Sequence, residues 1–205
     1  LLGCASATRG LFGAGGTPSP WSVNNVEYVT IAATGNAVDF GDVQTATALA
    51  GQGYASPTRG IFAKGENSPD IQIEYCTIAT TGNWSDYGDL SVARRQPGTT
   101  GSQTRGIFSG GEAPNATNHI DYITIAATGN AVDFGDLSVS RRIASAASSP
   151  TRSLIMGGYA SPASLNSIEF VTIATLGNGA DFGDISTARY SNAGASSSTR
   201  AVVMG

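Results

Sequence analysis

The segment IDYITIAATGNAVDFGDLSVSRR (120–142) decides the fold, because the chain carries four versions of it. The other three are VEYVTIAATGNAVDFGDVQTAT (26–47), IEYCTIATTGNWSDYGDLSVARR (73–95) and IEFVTIATLGNGADFGDISTARY (168–190). The Gly-Asn pair inside the segment stands at Gly35-Asn36, Gly82-Asn83, Gly129-Asn130 and Gly177-Asn178, at spacings of 47, 47 and 48. A second marker, Thr-Arg, recurs at Thr8-Arg9, Thr58-Arg59, Thr104-Arg105, Thr151-Arg152 and Thr199-Arg200, at spacings of 50, 46, 47 and 48. A fixed period of this size marks a repeat architecture. The Thr-Arg frame divides a single repeat domain, 1–205, into units of approximately 8–57, 58–103, 104–150 and 151–198, with partial units 1–7 and 199–205.

Within a unit, the residue types change in a regular order. Thr-Arg opens a short apolar stretch that closes on Gly, as in TRGIFSGG (104–111) and TRSLIMGG (151–158). A variable loop follows, and then a six-residue segment such as IEYCTI (73–78), whose β-branched and aromatic residues read as a strand. Strict alternation puts Ile73, Tyr75 and Thr77 on one face and Glu74, Cys76 and Ile78 on the other. Both faces hold apolar residues, so the strand is expected to be buried on both sides. Gly-Asn is then expected to supply a tight hairpin turn. The returning strand, WSDYGDL (84–90) in the second unit, carries a Gly after its aromatic residue. That Gly points to a bulge or to close approach of another backbone. Small-residue segments such as IASAASS (143–149) suit a crowded strand near a central axis.

Four short strands per roughly 47 residues, with no helical periodicity, predict an all-β fold: a β-propeller of four-stranded antiparallel blades. The competing repeat fold is a β-solenoid, whose coils run shorter, at about 20–30 residues.

At the level of motifs the unit resembles a Kelch-type blade. The carriers are the strand ending in Gly110-Gly111 or Gly157-Gly158, the variable loop, the strand with a central aromatic, and the blade-ending Arg94, Arg141 and Arg189. Phe40, Tyr87, Phe134 and Phe182 stand where the Kelch pattern has Trp. The second unit reads Lys64-Gly65 in place of Gly-Gly, and the first ends Gln44-Thr45-Ala46-Thr47 without Arg. The longer phrase around ATGNAVDFGD is similar to repeats of virion and tail-fibre structural proteins from marine tailed phages that infect cyanobacteria. That resemblance covers nearly the whole chain. It implies a virion or extracellular location and other virion or fibre proteins as partners, and it brings no catalytic residues. The two ends of the sequence carry pieces of the same kind, which points to a fragment of a longer array.

Composition narrows the function classes further. Charged residues make up only 13% of the chain, the net charge is −4, and a single Lys (Lys64) stands against ten Arg. With no basic stripe, a nucleic-acid surface is not expected. No apolar run reaches the roughly 18 residues of a membrane span, so membrane insertion is not expected either. Cys4 and Cys76 are too few for a disulfide framework, and Cys76 occupies a position that is Val29, Ile123 or Val171 elsewhere, so it reads as a small core residue.

Nearly every charge repeats. All ten Arg and twelve of the fifteen acids fall at repeated positions, which suggests ion pairs linking strands or units, with Arg105 expected to hold a buried acid. The Asp-Phe-Gly triplets at Asp39, Asp133 and Asp181 lack every other element of a kinase. Paired acids such as Asp39/Asp42 and Asp86/Asp89 could ligate calcium, but recurrence in every unit reads as turn capping. No metal, cofactor or catalytic residue is assigned.

The variable loops 17–25, 66–72, 112–119 and 159–167 are the part that differs between units, and such insertions gather on one face in repeat proteins. Trp21, Asn67, His119 and Tyr159 are their best candidates for stacking or hydrogen bonding to a ligand. The expected function is a non-enzymatic structural or adhesion module that presents these loops to a host-surface glycan or protein. The alternative is a repeat-built carbohydrate-active enzyme using the non-repeated acids Glu66, Asp70 or Glu112, for which the sequence shows no orienting partner.

Overall fold

The computed structural model describes residues 2–18, 21–47, 53–63 and 71–205. Strands β1 (Leu2–Ala5), β2 (Arg9–Gly15), β3 (Val23–Thr30) and β4 (Val38–Thr47) form the first sheet. The second contains β5 (Gly53–Ala55), β6 (Arg59–Ala63), β7 (Gln72–Thr77) and β8 (Ser85–Asp89). The third contains β9 (Gly98–Gly101), β10 (Arg105–Ser109), β11 (His119–Thr124) and β12 (Val132–Asp136). In the fourth, β13 (Ser145–Ser148) and β14 (Arg152–Met156) are followed by a small ribbon, β15 (Tyr159–Ala160) with β16 (Ala163–Ser164). The sheet then resumes with β17 (Ser167–Thr172) and β18 (Ala180–Asp184). Strands β19 (Ala193–Ser196) and β20 (Ala201–Met204) make a two-stranded sheet. The described residues contain no helix, and all their strand pairs are antiparallel within a sheet.

The sheets do not follow the Thr-Arg frame. Each small-residue segment pairs with the strand after it, so that Gly98 to Gly101 lies beside β10 and Ser145 to Ser148 beside β14. These first strands also touch one another from sheet to sheet, β1 on β5, β5 on β9, β9 on β13 and β13 on β19. Gly3, Gly53, Thr99, Ala146 and Gly194 from these five strands line a cavity of about 420 Å³. The crowding is close enough that a Cβ at Gly53 would lie 2.8 Å from the Gly3 carbonyl oxygen.

The core lies between neighbouring sheets. Phe40 and Val43 of the first sheet pack with Phe62, Cys76 and Trp84 of the second. Ile61 and Tyr87 pack with Phe108 and Ile123, and Ile107 and Phe134 with Ile155 and Val171. Successive residues such as Ile107 and Phe108 therefore serve two different layers, and the central strands are buried on both faces, as their alternation predicts. Cys76 is a core residue, and burial pushes its thiol up to about 12. The Cys4 thiol is raised further, first by burial and then by the proximity of Cys76.

The Gly-Asn pair does something other than turn a hairpin. The chain turns earlier, where Thr80 N donates to Thr77 O at 3.2 Å and Ala127 N to Thr124 O at 3.1 Å. Gly-Asn then reaches the preceding sheet. Gly82 N donates to Phe40 O at 2.7 Å, Gly129 N to Tyr87 O at 2.8 Å and Gly177 N to Phe134 O at 2.9 Å. The amide oxygens of Asn83, Asn130 and Asn178 accept from the backbone N–H of Asp42, Asp89 and Asp136 at 3.0–3.1 Å. A two-residue turn would leave no chain to make this crossing.

The Gly after each aromatic residue is the other half of that contact. The register shifts opposite it, and Gly41, Gly88 and Gly135 have φ of 135°, 141° and 143°. A Cβ there would lie 2.4–2.6 Å from the backbone of Gly82, Gly129 or Gly177. On β18, Gly183 has the same conformation, φ 131°, with nothing within 4 Å.

The repeated charges pair in an order different from the expected one. Arg94 donates from Nη1 to Asp121 at 2.9 Å, and Arg141 donates from Nη2 to Glu169, with both guanidinium groups fully buried. Each pair joins one sheet to the next. The same carboxylates accept from the backbone of Ser91 (3.1 Å) and Ser138 (2.8 Å). Burial lowers the pKa of both Arg, and the partner carboxylates oppose that shift. At the first junction the Arg position holds Thr47, which is buried, and Gln44 N donates to Glu74 at 2.9 Å.

Arg105 does not hold an acid. Its guanidinium lies 4.6 Å from the centre of the Tyr122 ring and donates to the Ile173 carbonyl of the next sheet at 2.8 Å. Arg9 and Arg59 repeat this arrangement with Tyr28 and Ile78, and with Tyr75 and Ile125. The Thr-Arg step places Arg at the outset of the second strand, opposite the end of the third, where an aromatic face and a carbonyl are within reach and the acid is not.

In urea unfolding, Arg94→Ala is expected to cost about 3–5 kcal/mol by leaving Asp121 buried without its cation. Arg105→Ala is expected to cost about 1–2 kcal/mol, the sum of one cation–π contact and one hydrogen bond. Gly135→Ala combines backbone strain with a steric clash, so it should exceed Gly183→Ala, which carries strain alone, by on the order of 2 kcal/mol.

Candidate functional site

The candidate site is built where the second strand of a sheet ends and the third begins, the stretch in which each unit departs from its neighbours. The residue after Arg94, and likewise after Arg141, joins the residue after Gly-Gly of the next unit through two backbone hydrogen bonds. Arg95 and Glu112 exchange them at 3.0 and 2.9 Å, and Arg142 and Tyr159 at 3.1 and 2.9 Å. Gly110 and Gly111, with φ of 62° and 110°, turn the chain into this position, as do Gly157 and Gly158 at 63° and 103°.

These backbone joints line up a row of side chains across three units. Arg95 Nε donates to Glu112 Oε2 at 2.9 Å, and Arg142 Nη1 donates to the same oxygen at 2.6 Å. The Arg142 guanidinium also lies 5.2 Å from the Tyr159 ring centre, and Tyr159 meets Tyr190 edge to face at 5.5 Å. Burial opposes ionisation of Glu112, but hydrogen bonds from Arg142 and Arg95, together with their charges, outweigh it and hold the carboxyl below its usual range. Beside this row runs a groove of about 530 Å³ lined by Glu112, Asn115, Ser140, Arg142, Tyr159 and Ser161, among others. Its size is that of an ordinary small-ligand site.

Of the four residues expected to bind a ligand, the structure places only Tyr159 here. Trp21 is 80% exposed at a separate loop. His119 opens β11, where its Nδ1 lies 3.6 Å from Asp136 Oδ1, and both side chains are half-exposed. Asn67 lies outside the described residues, as do Glu66 and Asp70. Glu112, for which the sequence offers no orienting partner, has two. Arg95, Arg142 and Tyr190 carry the signal that would have found the row. They occupy one repeat position whose chemistry changes from unit to unit, facing a second such position held by Glu112 and Tyr159.

No protein-family model and no curated protein matches the chain. Among the described residues, no group of three or more His, Cys, Asp or Glu side chains could hold a metal ion. Of the Asp-x-Gly-Asp acids, Asp39 accepts from Asn25 Nδ2 at 3.0 Å and Asp181 from Gly183 N at 3.2 Å.

Because the Glu112 carboxyl is depressed in the folded chain, its contribution to stability is present above the ordinary value of 4.5 and is lost as pH falls through the folded value. The melting temperature of the wild type should therefore exceed that of Glu112→Gln at pH 7, and the gap should close as the solution is acidified below about pH 4.

Proposed function

We propose that the chain is a non-enzymatic repeat module of a virion or extracellular fibre, arranged as a propeller of Kelch-like blades, whose loop face presents side chains to a host-surface glycan or a partner protein. The observation that carries this reading is the row from Arg95 to Tyr190, where the chemically variable positions of three units meet beside one groove on an otherwise repeated scaffold. The propeller arrangement is supported by the meander within each sheet, by the contact of successive first strands, and by the cavity those strands line. A solenoid of parallel coils would pair strands between units instead.

Rigid presentation is the mechanism. Backbone bridges fix Arg95, Glu112, Arg142 and Tyr159, so little ordering entropy is lost when a ligand arrives. Several weak contacts on one particle then add through avidity. A glycosidase, by contrast, needs a pair of carboxyl groups, one of them with a raised pKa to act as acid. Glu112 is the only acid lining the groove among the described residues, and its carboxyl is pushed in the opposite direction.

A glycan array and a panel of chromogenic glycosides test the reading together. Retention of one or more glycans without turnover is the expected result. Turnover that disappears in Glu112→Gln would instead establish an enzyme.

A further inference from the structure

From the groove beside Tyr159 we infer a preference in ligand chemistry, resting on the loop-face reading above: it takes an acidic saccharide, one whose ring carries a carboxylate or sulfate. Glu112 and Arg142 are the only charged residues lining the groove among the described residues. They do not cancel, because Arg95 stands on the same Glu112 oxygen from outside the groove. Two guanidinium groups against one carboxylate leave a net charge of +1 in a chain whose net charge is −4.

The arrangement also leaves donors in place. An Arg side chain has five N–H donors. Arg142 uses Nη1 on Glu112, and its Nε and Nη2 have no hydrogen-bond partner among the described residues. Glu112 on one side and the Tyr159 ring on the other fix the plane of this guanidinium, so the remaining donors are held ready. A planar fork of this kind is suited to carboxylate or sulfate, and preorganisation reduces the entropy lost on binding. Next to the charge lie the Asn115 amide and the Ser140 and Ser161 hydroxyls, which match sugar hydroxyls, with Tyr159 as the aromatic wall. A ligand with an anionic group and no polyol would leave those groups without partners, and a neutral sugar could accept from Arg142 but would bring no charge to pair with its guanidinium.

The test uses the full chain and isothermal titration with three polymers: polygalacturonate, dextran sulfate and neutral dextran. Binding of either acidic polymer, weakening with added salt, and no binding of dextran is the expected result, and which of the two binds identifies the anionic group. Arg142→Gln should weaken that binding at least about tenfold, the value of one lost charge-assisted contact. Ser140→Asp provides a variant that does not depend on the Arg142 contacts, since Ser140 is exposed, and the new charge in the groove wall should weaken binding by a similar factor. Equal binding of dextran, unchanged affinity in Ser140→Asp, or duplex DNA bound as tightly as the acidic polymers would each overturn the inference. If the array retains neutral glycans and the acidic polymers do not bind, the acidic preference fails while the loop-face reading stands.

Discussion

Neighbouring sheets approach one another closely enough for backbone to bond backbone, and most of the structure accommodates that approach. The outer strand of one sheet offers the carbonyl of its aromatic residue to the Gly N–H of the next, and the Asn side chain completes the contact on the following Asp N–H. The outer strand must lack a side chain at the meeting point, which fixes Gly41, Gly88 and Gly135, whereas Gly82, Gly129 and Gly177 are required by their φ of 152–154°. The outer strand must also bulge to expose that carbonyl, which fixes the Gly at positive φ. With the backbones locked, the aromatic residues and the Ile and Leu beneath them fall into a shared layer, and the core is distributed between sheets rather than within any one of them.

The second constraint is electrostatic. Closing two sheets over Arg94 and Asp121, or over Arg141 and Glu169, removes charges from water at considerable cost, and that cost is offset only when both partners arrive together with their backbone hydrogen bonds. Such a pair adds more to register than to stability. It also gives most of the Arg residues a place: they are committed to joints between units.

Sequence periodicity carries what happens inside a unit and little of what happens between units. The alternation in IEYCTI, the crowding of the small-residue strands, the core role of Cys76 and the close approach at Gly41, Gly88 and Gly135 were all legible, because each depends on neighbours along the strand or on backbone geometry alone. The destination of Gly-Asn, the exchange of partners between Arg105 and Arg141, and the two cations on Glu112 were not. Each depends on which residue of one unit faces which residue of the next, a phase that a repeat period leaves undetermined. Trp21 and His119 illustrate the same gap: one sits in a variable loop and the other opens β11 beside such a loop, and neither lines the groove beside Tyr159.

Thr47 makes one of the three full junctions different in kind. Where the second and third junctions enclose a guanidinium, the first is closed by Leu11, Phe40 and Val43 of the first sheet against Phe62, Cys76 and Trp84 of the second. Separating either later pair would strand a charge in an apolar layer, a penalty that the first junction does not carry at Thr47. A chain built from near-identical parts in this way is held together by joints of two kinds.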